Sequence, residues 1–116
     1  MPRPFKQRVI SREPGVLYFK PQGVPMTLLE EVNLTKDELE AVRLADEQGL
    51  YQETAARAMN ISRQTFGNII SSARQKIARA LLNGKALRIG GGVVRVETAR
   101  GREGYRGRRR GLKGHF

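Results

Sequence analysis

The stretch QETAARAMNISRQTFGNIIS, Gln52 to Ser71, decides how this chain folds. Its apolar residues fall at Ala55, Met59 and Ile61, then at Phe66, Ile69 and Ile70, so two helical faces point inward on either side of one tight break. Ala56 is small where the two helices must cross, because a larger side chain would hold their backbones apart. Asn60 stands at the turn position that needs a positive φ, which asparagine tolerates better than most residues. Ser62 then offers a side-chain acceptor to the free amides of the next helix. This spacing predicts a helix-turn-helix over 52–71 whose helices cross at about 90–120°. The second helix of the chain is expected from Gln52 to Met59 and the third from Arg63 to about Leu82, ending at Asn83-Gly84.

On the third helix, Phe66, Ile69, Ile70, Ala73 and Ile77 mark the core side at about 100° per residue. Arg63, Gln64, Gly67, Asn68, Ser71 and Arg74 then fall on the opposite side. Those residue types suit a DNA groove: Arg and Gln can make paired hydrogen bonds to guanine and adenine edges, Asn can pair with adenine, and glycine permits close approach. Ser62 and the first amides of the helix suit a phosphate. The expected DNA-binding set is therefore Ser62, Arg63, Gln64, Thr65, Gly67, Asn68, Ser71 and Arg74, with Lys76 and Arg79 extending the positive surface along the backbone.

Outward from this motif the composition changes in both directions. All five prolines lie in residues 1–26, which argues against a long helix, so residues 1–33 read as an extended arm packed on the core. Within it Val16-Leu17-Tyr18-Phe19 fits a short strand or a core plug, and Leu28, Leu29 and Val32 fit a helical turn. Thr35 followed by Glu38 is a capping box, opening a first helix from Lys36 to about Glu47. Residues 34–84 thus form a helical domain, 85–97 a short strand-like segment ending in Val94-Arg95-Val96, and 98–116 an Arg/Gly-rich tail expected to be disordered. The fold class expected is mainly α.

The charge pattern points to a polyanionic partner. Across 116 residues the net charge is +11. Residues 54–83 hold five basic residues and no acid, whereas 34–53 hold six acids and two bases, which gives the molecule a binding side and a back. Arg3, Lys6, Arg8 and Arg12 suit an arm in the minor groove. In the tail, Arg106, Arg108, Arg109 and Arg110 can clamp neighbouring phosphates. There is no cysteine, and the one histidine is His115, so thiolate metal sites, disulfides and histidine-based triads are excluded. Asp37, Glu38 and Glu40 are accounted for by capping and the helix dipole. Gly90-Gly91-Gly92 lacks the lysine of a nucleotide loop. No catalytic residue, metal site or cofactor is expected, and the protein is expected not to be an enzyme. The opening residues lack the apolar core of a secretory signal and no apolar run is long enough for a membrane helix, so a cytoplasmic location away from membranes is expected.

The strings YFKPQGVPM, LTKDELEAVRLAD, GLYQETAARAMNISRQTFGNIISSARQKIARAL and GKALRIGGG occur in that order. Together they resemble an uncharacterised prokaryotic family of predicted DNA-binding proteins, of the UPF0251 or DUF134 kind, whose helix-turn-helix is similar to region four of bacterial sigma factors. The resemblance covers about residues 1–92 and implies sequence-specific binding of double-stranded DNA and a role in transcription regulation. A homodimer is the expected assembly for such a regulator, with the third helix or residues 85–97 supplying the interface. Two other readings stand beside it: a non-specific DNA- or RNA-binding module driven by the basic tail, and a protein-docking module on the transcription machinery.

Overall fold

A computed structural model of the chain describes residues 7–11 and 17–96. Thr35 opens the helical part as expected: the Glu38 amide donates to the Thr35 hydroxyl (3.4 Å) and the Thr35 amide donates to Glu38 Oε1 (2.9 Å). This satisfies donors that α1 (Lys36–Val42) cannot satisfy internally. The helix continues as one wide π turn over Arg43–Glu47, closed by the Gln48 amide on the Arg43 carbonyl at 2.9 Å. α2 spans Gln52–Ala58, Asn60 takes φ 59°, and α3 runs from Arg63 to Asn83. Gly84 stops α3 in the left-handed region at φ 65°, where a β-carbon would crowd the backbone.

Packing explains why the chain bends after Met59. Phe66, with no exposed surface, sits among Ala41, Leu44, Ala55, Ala56, Met59, Ile69 and Ile70. Burying a side chain of that size contributes roughly 1.5–3 kcal/mol. The two alanines let α2 lie close to α3, and the tight turn at Asn60 brings the apolar faces of both helices onto α1.

The remainder is β structure, and here the expectation of a mainly α fold is corrected. Half of the described residues are helical and a fifth lie in strands, making a mixed α/β fold with two small sheets. β2 (Leu17–Phe19), β4 (Ala86–Ile89) and β3 (Glu31–Leu34) form one sheet, with β4 central, antiparallel to β2 and parallel to β3. β1 (Arg8–Ile10) pairs in parallel with β5 (Val94–Val96). Leu34 and Ile89 meet Ala73 of α3 in a second core, flanked by Leu17, Leu39, Ile77 and Leu87.

Within the segment read as an extended arm, three expectations change. Val32, placed in a helical turn, is an inward-facing residue of β3, and the helical turn is a single 3-10 turn at Met26–Leu28. Leu17 to Phe19 is a strand, but Phe19 is largely exposed and is not a core plug. Tyr18 is half-buried, and its hydroxyl donates to Glu31 (2.8 Å), a bond that raises its pKa. After α3, the expected strand at Val94–Val96 is present, and β4 precedes it as the central strand of the larger sheet. Strands of three or four residues are too short for alternation to declare them, and each is paired with a segment remote in sequence. The tail, including Arg106, Arg108, Arg109 and Arg110, lies outside the described residues, as do Arg3, Lys6, Arg12 and Val16.

Candidate nucleic-acid interface

α3 begins at a cap that is satisfied within its own first turn. Ser62 Oγ accepts from the Thr65 amide (3.0 Å) and donates to Thr65 Oγ1 (2.9 Å), so both hydroxyls are tied and Thr65 is half-buried. Behind this turn, the Val9 amide donates to the Met59 carbonyl (2.9 Å) and the Ile61 amide to the Ala56 carbonyl (3.0 Å). β1 thereby braces the segment that leads into α3. Arg63, Gln64, Asn68, Ser71 and Arg79 are all exposed. Gln64, Asn68 and Ser71, spaced by four and three residues, form one stripe along the helix, and Gln75 extends it on the same line.

The remaining members of the expected set are positioned differently. Gly67 is half-buried and lies toward α2, where a β-carbon would stand 3.5 Å from Gln52 Oε1. A β-carbon there would make only an ordinary contact, so the packing of α2 on α3 does not require a glycine. Arg74 is exposed, but its guanidinium grips Asp46 with two hydrogen bonds, of 2.7 and 3.2 Å, which stabilise the charged form and raise its pKa. Lys76, expected on the positive surface, turns instead toward the first turn of α1. Its ammonium donates to Glu38 Oε1 (2.8 Å) and to the Asn33 carbonyl (2.9 Å).

Opposite charges from two elements explain the corrected position of Lys76. Burial alone pushes the Glu38 carboxyl up, but hydrogen bonds from Lys76, Ser72 and the Thr35 amide outweigh it and hold the pKa below its ordinary value. Glu40 accepts from Arg43 at 2.9 and 3.0 Å and from the Ser11 amide at 3.1 Å. Hydrogen bonding to Glu40 in turn raises the pKa of Arg43. The α1 acids are thus absorbed by partners within the fold, while the exposed stripe of α3 carries none. Sequence reasoning missed Asp46 as the partner of Arg74, a pairing across 28 residues with no local signal. It also missed Tyr51, an exposed aromatic directly before α2.

A family model described as a protein of unknown function, DUF134, matches residues 1–97. The chain belongs to this family. Among curated DUF134 relatives, a UPF0251 protein of Thermoanaerobacter pseudethanolicus is 57% identical over 110 residues, covering 93% of each chain. One from Desulfosudis oleivorans is 60% identical over 92 residues, or 79% of this chain and 67% of its own. One from Dehalococcoides mccartyi is 58% identical over 98 residues, or 84% of each chain. No solved structure matches this DUF134 chain. Among its described residues, no helix is long and apolar enough to cross a membrane.

Proposed function

We propose that α2, the turn at Asn60 and α3 form a helix-turn-helix that reads double-stranded DNA, and that the protein is a transcriptional regulator rather than an enzyme. One observation carries this reading: Gln64, Asn68 and Ser71 share an open stripe on the helix that follows the bend, and no acid occurs between residues 54 and 83. The stripe presents paired donors and acceptors to base edges. Arg63, exposed beside Gln64, suits base edges as well, and the first amides of α3 that the Ser62 side chain does not engage suit the adjoining phosphates. Arg79, exposed one turn beyond Gln75, suits the backbone as well.

The test is selection of duplexes from a random pool, followed by affinity measurements on the selected and scrambled sequences across a salt series. A selected sequence should emerge, and affinity should fall steeply with salt as counterions are released. Gln64→Ala and Arg63→Ala should each weaken the selected duplex by about 1–3 kcal/mol and narrow its advantage over the scrambled one. Equal weakening on both duplexes removes the base-reading claim. A salt-independent affinity, or none for any duplex, removes DNA binding altogether. The seven basic residues of 100–116 favour a second, non-specific contribution. Deleting residues 98–116 should then lower affinity for both duplexes by the same factor.

A further inference from the structure

Seven large apolar side chains are exposed among the described residues, and five of them lie on segments that meet where α3 passes into β4. Leu81 and Leu82, 75% and 83% exposed, close α3. The Lys85 amide folds back onto the Ala80 carbonyl, and the Ala86 amide donates to the Glu30 carbonyl, so the α3–β4 turn touches the chain just after the Met26–Leu28 turn. Lys85 and Glu30 add an ion pair at 2.9 Å. On the far side of β4, Phe19 pairs with Leu87. Phe19, Met26, Leu28, Leu81 and Leu82 therefore surround one corner of the fold, all of them more than half exposed.

We infer that this corner is a self-association surface whose occupant is the same corner of a second copy of the chain. Side chains of this size carry on the order of 100 Å² of apolar surface each, so the five present roughly 350 Å², within the range of a monomer's largest apolar patch, which is often functional. An interface of about 800 Å² per partner is a little over half apolar, so this patch supplies most of the apolar part of one side. The polar surroundings carry both signs. Glu30 and Glu31 are exposed on the β3 side and Lys20 beside Phe19, and a two-fold axis can set the acids of one copy against the cations of the other. A partner of a single charge sign would match only half of that rim.

The inference stands without the DNA reading. Joined to it, the arrangement leaves Arg63 and Gln64 unobstructed, because α3 places them about 30 Å from its apolar end.

Sedimentation velocity of the full chain in 0.5 M salt without nucleic acid, from about 1 to 200 µM, tests the surface. The mass should rise from that of one 13.0 kDa chain to that of two across the range. The double variant Leu81→Glu/Leu82→Glu, altered only at exposed positions, should stay monomeric throughout with an unchanged circular dichroism spectrum. Tyr51→Glu, an exposed apolar site elsewhere, should dimerise like the parent. A parent that remains monomeric at 200 µM overturns the inference, whether the corner is covered by residues 97–116 or by another protein. So does a folded Leu81→Glu/Leu82→Glu variant that still dimerises, or a Tyr51→Glu variant that does not.

Discussion

Replacing Glu38 with alanine removes one carboxylate on which three donors converge. Its Oε1 accepts from the Thr35 amide at 2.9 Å and from Lys76 Nζ at 2.8 Å, and its Oε2 accepts from Ser72 Oγ at 2.6 Å. The Glu38 side chain is 10% exposed and that of Lys76 27%, so the substitution strands a largely covered ammonium with only the Asn33 carbonyl. Breaking a fully buried pair costs about 3–5 kcal/mol; the partial exposure of Lys76 reduces this to about 2–3 kcal/mol. For a domain of this size that is a fall in Tm of about 10–20 °C. Urea and thermal unfolding at pH 7 measure it directly. Adding Lys76→Met to Glu38→Ala should recover part of the loss, since the stranded charge is then gone. The pH dependence supplies a second check. Because the Glu38 pKa is lowered in the folded state, its contribution is complete above its ordinary value of 4.5 and fades as pH falls through the lower folded value. The stability difference between the parent and Glu38→Gln should therefore be full at pH 7 and shrink on acidification below about pH 4. A loss under about 0.5 kcal/mol for Glu38→Ala, or a difference that does not change with pH, refutes the reasoning.

Two further perturbations test other contacts. Gly92 has φ 102°, and a β-carbon there would meet Asp37 Oδ1 at 2.7 Å, Thr35 Cβ at 3.1 Å and the Lys36 amide nitrogen at 3.3 Å. Gly92→Ala should therefore lower the unfolding free energy by about 1–3 kcal/mol, and an unchanged urea midpoint would show that the loop shifts freely. Asp46→Asn frees Arg74 and removes a negative charge beside α3. If duplex phosphates are the partner, affinity should rise about 3–10-fold at 0.1 M salt and the salt slope should steepen by about one phosphate contact; no change would mean that Arg74 does not reach the duplex.

Helix boundaries and caps could be read from the sequence because their causes are local. Thr35 with Glu38, Ser62 with Thr65, the positive φ of Asn60 and the stop at Gly84 each involve residues within about one helical turn. The inward faces of α2 and α3 followed from helical periodicity for the same reason, and so did the exposure of Gln64 and Asn68. Only the tertiary structure decided the rest. β1 and β5 meet across 86 residues and β3 and β4 across 55, and segments of three or four residues carry no pattern that names a partner at such range. The fate of the charges was equally non-local. Arg63, Arg74 and Lys76 look alike along the chain, yet α1 and its π turn bring Asp46 to Arg74 and Glu38 to Lys76 while leaving Arg63 exposed. An ion pair depends on where two side chains arrive in space and how much water surrounds them, and neither is set until the elements have packed.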